Sequence, residues 1–229
     1  MKLKNREDAG TLLAAKLKKY ITENDYVYAL PKGGVKIAKP ITNLLHAPLG
    51  LLFVRKIGSP RDGEYAIAAV TENTQILGSK KLLKSISETW LWERIDEEVA
   101  EIKRQREHYL KGQVPPFAKG GIVILVDDGI ATGLTVQAAV SEIKLQEPRK
   151  ILVAVPIITE SAMKVIANVV DRGIALKIIP DKDFKGSIGS YYQDFRQVSD
   201  KEVIAILRKH EKEQMTSDIQ DVLRNIVRC

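Results

Sequence analysis

The sequence predicts an α/β protein built on an open, mainly parallel, twisted sheet with helices on both faces. Short segments such as 122–126 and 151–155 are apolar at every position, which is typical of strands buried on both faces of a parallel sheet. These segments alternate with stretches of helical periodicity, as in other layered α/β folds. After Pro180 the pattern changes to a small stretch that contains glycine and tyrosine, here called the hood, and then to a helical C-terminal tail.

The elements follow from hydrophobic periodicity and from turn residues. Residues 75–77 either extend the third strand or form a hairpin with it. Strands are expected at 26–30, 49–54, 67–70, 121–126, 151–155 and 174–179. Helices are expected at 9–20, 35–45, 88–110, 134–144 and 160–170. We expect one domain over residues 1–229, with a core at about 8–180, a hood at about 180–198 and a tail at 199–229.

Composition excludes several classes of protein. Hydrophobic residues make up 45% of the 229 residues, too many for a disordered chain. The single cysteine, Cys229, excludes a disulfide framework. No apolar run approaches the roughly 18 residues of a membrane helix, and residues 1–8 lack the apolar stretch of a secretory signal. We therefore expect a cytoplasmic protein with no membrane partner, and its net charge of +7 needs an explanation.

The strongest chemical signal follows the strand at 121–126. Asp127 and Asp128 can accept hydrogen bonds from a vicinal diol or lie near a metal. A turn rich in glycine and threonine then leads into a helix N-terminus, where free N–H groups suit one phosphate. The segment 127–135 thus predicts a ribose 5-phosphate site, although acids at a strand end and a Thr-Gly helix cap are the simpler alternative. A Walker A loop does not fit, because Leu134 follows Gly133.

This segment resembles the phosphoribosyl pyrophosphate signature of the type I phosphoribosyltransferases: an apolar strand, two acids, three variable residues and Thr-Gly-x-Thr. In detail the chain resembles a bacterial group of that family whose acceptor is unassigned. The resemblance implies that Asp127 and Asp128 hold the ribose hydroxyls. It also implies that the loop after them binds the 5-phosphate, through Gly129, Ile130, Ala131, Thr132, Gly133, Leu134 and Thr135.

A second loop follows the first strand and consists of Pro31, Lys32, Gly33 and Gly34. The resemblance implies that this loop binds pyrophosphate, often with a cis peptide bond that does not precede proline. Glycines let the backbone approach an anion, and Lys32 adds positive charge. Taken alone, Lys-Gly-Gly is an ordinary turn.

The resemblance also implies a flexible loop that closes over the site, and residues 54–64 fit it. Arg55, Lys56 and Arg61 would face the phosphates there, and such a lid would exclude water. The alternative is an exposed basic loop. The candidate catalytic residues are Lys32, Arg55, Lys56, Arg61, Asp127 and Asp128.

The hood carries aromatic residues. Phe184, Tyr191 and Tyr192 resemble the C-terminal segment that covers the base in hypoxanthine-guanine enzymes, so they are candidates for stacking on an acceptor; packing is an equal alternative. Those enzymes place an acid just before Thr-Gly, where this chain has Ala131, which weakens the case for 6-oxopurine salvage.

The resemblance implies transfer of ribose 5-phosphate from phosphoribosyl pyrophosphate to a base-like acceptor, with release of pyrophosphate, in nucleotide salvage or related metabolism. It implies Mg²⁺ bound mainly through substrate oxygens, with Asp127 and Asp128 nearby. A non-catalytic sensor of phosphoribosyl pyrophosphate is the alternative. Nucleic-acid binding is a remote one, because the basic residues are spread out and no nucleic acid partner is expected. The helix at 88–110 is expected to serve core packing or a homodimer contact.

Overall fold

The computed structural model describes residues 2–21, 25–63, 65–112 and 116–227, with side chains described as far as residue 216. Cys229 and Glu64 lie outside the described residues. The strands are β1 (Asp25–Ala29), β2 (Leu49–Leu51), β3 (Val54–Gly58), β4 (Ala66–Thr71), β5 (Ile76–Gly78), β6 (Ile122–Val126), β7 (Lys150–Thr159) and β8 (Arg172–Ile179). The helices are α1 (Arg6–Leu17), α2 (Gly33–Leu45), α3 (Lys80–Leu83), α4 (Glu88–Leu110), α5 (Leu134–Lys144), α6 (Glu160–Ala167) and α7 (Asp200–Val227).

A five-stranded parallel sheet forms the centre of the molecule, in the order β2-β1-β6-β7-β8. Alternate residues of its strands enter two different cores. In β6, Ile124 packs into the core on the side of α1 and α2, whereas Val123 and Leu125 pack into the core on the side of α5 and α6. The predicted open α/β sheet with helices on both faces is therefore confirmed.

A second, antiparallel sheet in the order β3-β4-β5 changes two sequence expectations. The strand expected at 49–54 is wrong as one element. Its first half is β2, Leu52 and Phe53 are buried in the connection, and Val54 starts β3 in the other sheet. The split arises because β3 pairs with β4 rather than with β1. The segment 75–77 forms a hairpin, since β5 pairs antiparallel with β4.

The remaining elements differ from expectation mainly at their ends. α1 begins three residues early at Arg6, because the Asn5 side chain caps it by accepting from the Asp8 N–H at 2.9 Å. β7 runs on to Thr159, since it pairs with β8 as far as Ile179. α4 has the expected bounds, and its Ile95 and Ile102 are fully buried.

Among the described residues, no helix has both the length and the apolar character that crossing a membrane requires.

Candidate functional site

The two predicted ligand loops lie side by side because the strands before them are neighbours. β1 and β6 pair in parallel as far as Ala29 and Val126. The Leu30 N–H then donates to the Val126 carbonyl oxygen at 3.0 Å. Loops 31–34 and 127–135 therefore leave the same edge of the sheet, at the carboxyl ends of its strands, where α/β folds place ligands.

Glycine is required where these loops touch. A Cβ on Gly33 would lie 1.9 Å from Asp128 Oδ2, and one on Gly34 would lie 2.7 Å from the Val126 carbonyl oxygen. Both distances are shorter than real contacts of a Cβ atom. A larger residue at position 34 would push the loops apart, and one at position 33 would displace the Asp128 carboxylate.

Asp127 and Asp128 are half-buried at this contact. Arg6 Nε donates to Asp128 Oδ2 at 2.8 Å, and the Asp128 N–H donates to Asp127 Oδ1 at 2.8 Å. Burial raises the pKa of Asp127 well above its usual range, and the neighbouring Asp128 charge raises it further. Burial also raises the pKa of Asp128, and the hydrogen bond from Arg6 opposes that rise. Ionising both carboxyls therefore costs free energy, and a close cation such as Arg6 lowers that cost.

Backbone contacts to β7 fix the start of the loop after the acids. The Ile130 N–H donates to the Ile157 carbonyl oxygen at 2.9 Å, and the Thr159 hydroxyl donates to the Ala131 carbonyl oxygen at 2.7 Å. Gly129 lies against Ile188, whose side chain would be 2.4 Å from an added Cβ. Loop 127–135 is therefore held between the sheet and the hood.

The end of this loop is an uncapped helix N-terminus. Gly133 is the N-cap of α5 with φ +83°, a left-handed conformation that favours glycine, and it makes no side-chain cap hydrogen bond. Leu134 starts the helix, while Thr132 is exposed and Thr135 is half-buried. Free N–H groups and two hydroxyls at this terminus could bind a phosphate.

The peptide bond between Pro31 and Lys32 is cis, at the position where the resemblance implied one. Lys32 Nζ lies 2.8 Å from Asp200 Oδ1, with the lysine side chain 39% exposed. The Tyr109 hydroxyl donates to the same Asp200 oxygen at 2.5 Å. Hydrogen bonds from Lys32 and Tyr109 lower the pKa of Asp200. The carboxylate is therefore ionised at neutral pH and can pair with the lysine.

A pocket of about 230 Å³ joins the two loops. It is lined by Leu30, Pro31, Lys32, Leu52, Phe53, Val54, Arg55, Gln105, Tyr109, Asp127 and Thr135. The pocket therefore combines predicted residues from both loops with Gln105 and Tyr109 of α4. α4 is thus a wall of the site as well as part of the core.

The flexible loop expected at 54–64 is wrong in its first half, because residues 54–58 are strand β3, hydrogen-bonded to β4. Arg55 lines the pocket, but its Nε lies 2.8 Å from Oε2 of the buried Glu98. Lys56 is exposed, and its positive charge is one of the causes that lower the pKa of Asp127.

Arg61 lies apart from the other predicted cations. It lines a larger pocket of about 590 Å³, together with Tyr65 and Trp90. The structure therefore does not bring Arg61 together with Lys32 and Asp127, and the larger pocket is not where the predicted groups converge.

The two hood tyrosines are covered rather than presented to a ligand. Tyr191 is 7% exposed and Tyr192 is 2% exposed. The Tyr192 hydroxyl donates to the Asp128 carbonyl oxygen at 2.7 Å, and the Tyr191 hydroxyl donates to the Asp183 carbonyl oxygen at 3.0 Å. Phe184 stacks on Tyr191 with ring centroids 6.2 Å apart. Tyr191 and Tyr192 therefore fit the packing alternative, while Phe184 is half-buried and its stacking on a base stays a prediction.

Sequence reasoning missed three charged residues that contact the predicted ones: Arg6, Glu98 and Asp200. None belongs to a motif. Arg6 opens α1, Glu98 lies within α4 and Asp200 opens α7, so each looks like an ordinary helical charge. Only the fold shows that each has a partner in the site.

A family model described as a phosphoribosyl transferase domain matches residues 2–195 of the chain. Two curated proteins from strains of Mycobacterium tuberculosis, named "Putative phosphoribosyl transferase MT0597" and "Putative phosphoribosyl transferase Rv0571c", are each 32% identical to it over 205 residues. The match covers 89% of this chain and 46% of each relative, so the chain spans about half the length of these curated relatives. The crystal structure of TT1426 from Thermus thermophilus is similar with a TM-score of 0.77 and 33% identity, covering 90% of this chain and 98% of that one.

Replacing Asp127 should stabilise the folded protein at pH 8. Because its pKa is raised in the folded state, this carboxyl favours folding at low pH, and that contribution is lost as pH rises through the folded-state pKa. Asp127→Asn removes the cost of a buried charge and can still accept from the Asp128 N–H. We expect a rise in melting temperature of about 2–4 °C at pH 8, corresponding to about 1 kcal/mol, that shrinks toward pH 4.

The control is Asp194→Asn, since Asp194 is paired with Arg196 and its pKa is lowered by that partner. This variant should not be stabilised at pH 8. An unchanged or lower melting temperature for Asp127→Asn at pH 8 would contradict the electrostatic description of the acidic pair.

Proposed function

The chain belongs to the phosphoribosyl transferase family, and from that premise we propose that it transfers ribose 5-phosphate from phosphoribosyl pyrophosphate to a nitrogenous base or a similar acceptor. Pyrophosphate is the leaving group. We further propose that residues 1–229 act as one such domain, in nucleotide salvage or related metabolism. The observation that carries the proposal is the convergence of loops 31–34 and 127–135 at one pocket, with Gly33 against Asp128.

In this proposal each part of the donor has its own partner. Asp127 and Asp128 accept hydrogen bonds from the ribose hydroxyls, and the free N–H groups at the start of α5 bind the 5-phosphate. Lys32 and the glycines after it bind the pyrophosphate. The partial burial of the acidic pair supports this assignment, because carboxylates withdrawn from water favour a ligand that donates hydrogen bonds to them.

The residues present fit a hard cation carried by the substrate. The described part of the chain has no group of three or more His, Cys, Asp or Glu side chains arranged to hold a metal ion by themselves. Asp127 lines the pocket and Asp128 follows it in the chain, and both carry the oxygen ligands that Mg²⁺ prefers. When bound, Mg²⁺ would neutralise charge on the pyrophosphate.

The bond that breaks joins C1 of the ribose to a pyrophosphate oxygen, and the bond that forms joins C1 to a nitrogen of the acceptor. The transition state has oxocarbenium character, as in other glycosyl transfers. Asp127 and Asp128 lie near the developing positive charge, while Lys32 and Lys56 lie toward the leaving group, which is electrostatic stabilisation. Ala131 has no side chain able to take a proton from the acceptor, so we assign no general base.

A second candidate function is a sensor that binds the donor without turnover. The observation that favours it is the pairing of Lys32 with Asp200 and of Arg55 with Glu98, which neutralises two cations expected to act on the leaving group. The presence of Lys56, an exposed cation whose charge acts on Asp127, favours the enzyme.

The donor site is tested by calorimetry with phosphoribosyl pyrophosphate and Mg²⁺. The double variant Asp127→Asn, Asp128→Asn should lose at least about tenfold in affinity, because two hydrogen bonds to charged groups are weakened. Asp194→Asn, on the exposed surface of the hood, is the matched control and should bind as the wild type does. Unchanged binding by the double variant would overturn the assignment of the acidic pair.

Turnover is tested by mixing the protein with Mg²⁺, phosphoribosyl pyrophosphate and a panel of purine and pyrimidine bases. The enzyme proposal expects pyrophosphate release that depends on one acceptor or a few. Tight donor binding without release across the panel would replace the enzyme with the sensor. Binding of neither donor nor pyrophosphate would contradict both candidates.

Freeing Lys32 should strengthen binding of pyrophosphate. The Lys32–Asp200 pair is partly exposed, and such pairs contribute about 0.2–1 kcal/mol. Asp200→Asn should therefore bind pyrophosphate with Mg²⁺ about 1.4- to fivefold more tightly. Glu202→Gln is the matched control, because Glu202 lies on the same turn of α7 but pairs with Lys36. Equal affinities for wild type and Asp200→Asn would show that Lys32 does not bind the anion.

A further inference from the structure

Arg6 is the buried cation that contacts the acidic pair directly. It lies 122 residues from Asp128 in the sequence, at the first position of α1, and its side chain is only 9% exposed. Arginine is almost never buried without a partner, so its position needs a reason.

Three contacts hold the guanidinium in one orientation. Its Nε donates to Asp128 Oδ2 at 2.8 Å, and its Nη1 donates to the Arg196 carbonyl oxygen at 2.9 Å. Its flat face lies 3.6 Å from the centroid of the Phe195 ring. A lysine could make one of these contacts but could not reproduce the fork and the stacked plane together.

These contacts determine how the Asp128 carboxylate is presented. Arg6 holds Oδ2, Gly33 leaves room for that same oxygen, and the Tyr192 hydroxyl holds the Asp128 carbonyl oxygen. The carboxylate is thereby fixed by a chain segment that belongs to neither ligand loop. The hood contacts Arg6 as well, through the Phe195 ring and the Arg196 carbonyl oxygen.

We propose that Arg6 is a positioning residue that orients Asp128 toward a ribose hydroxyl of the donor. The inference rests on the proposed function, because it assigns Asp128 to the ribose. Arg6 itself contacts Asp128 and the hood, and it acts on the donor only through Asp128. Its loss should therefore weaken binding of ligands that contain the ribose and leave binding of pyrophosphate alone unchanged.

The experiment compares full-length wild type, Arg6→Gln and Arg6→Lys by calorimetry with Mg²⁺, once with phosphoribosyl pyrophosphate and once with pyrophosphate. Arg6→Gln should bind phosphoribosyl pyrophosphate about tenfold more weakly and pyrophosphate within about twofold of wild type. The affinity of Arg6→Lys for phosphoribosyl pyrophosphate should lie between those of wild type and Arg6→Gln, because lysine keeps the positive charge and loses the forked guanidinium. Arg196→Gln is the matched control: it removes a neighbouring exposed cation and keeps the backbone carbonyl that Arg6 uses.

A double-mutant cycle separates positioning from a general effect on folding. With Asp128→Asn as background, Arg6→Gln should cause no further loss of affinity for phosphoribosyl pyrophosphate, because its partner is already neutral. Equal loss for both ligands, or full additivity in the cycle, would overturn the positioning role. Wild-type affinity for phosphoribosyl pyrophosphate in Arg6→Gln would overturn it too. If wild type itself fails to bind phosphoribosyl pyrophosphate, the proposed function falls, and the role of Arg6 falls with it.

Discussion

The close contact between Gly33 and Asp128 is the constraint on which the site depends. It exists because β1 and β6 are neighbours and end together, so that the loops after them must share one edge of the sheet. Only glycine fits, since a Cβ at position 33 would lie 1.9 Å from the carboxylate. Arg6 then fixes the same carboxylate from α1, and Tyr192 fixes its backbone from the hood. One residue, Asp128, thus contacts loop 31–34, the first helix and the C-terminal segment.

The net charge of +7 does not leave the cations of the candidate site unpaired. Lys32 and Arg55 line the pocket and pair with Asp200 and Glu98, and Arg6 pairs with Asp128. An anionic ligand that binds Lys32 would therefore have to displace the Asp200 carboxylate from it. Asp200 opens α7, which begins after the stretch that the family model matches, so this competing carboxylate lies outside the matched domain.

The sequence could predict the sheet and the position of loops 31–34 and 127–135 after their strands, because these signals are local. A strand such as β6 is apolar at every position since its alternate residues enter two cores, and the motif at 127–135 is contiguous. The long-range pairs could not be predicted, because Arg6, Glu98 and Asp200 look like surface charges of helices. The flexible loop expected at 54–64 was wrong in its first half for a related reason. Residues 54–58 pair with β4 as strand β3, and their basic sequence does not indicate that pairing. The hood aromatics were ambiguous since packing and stacking on a base use the same residues.

The most direct measurement is a crystal structure of the full chain with phosphoribosyl pyrophosphate and Mg²⁺. Our account predicts the ribose hydroxyls within hydrogen-bond distance of Asp127 and Asp128. It places the 5-phosphate at the start of α5 and the pyrophosphate against loop 31–34, with Lys32 released from Asp200. A donor bound in another pocket, such as the one beside Trp90, would contradict the account. So would a donor bound with the positions of its 5-phosphate and pyrophosphate reversed.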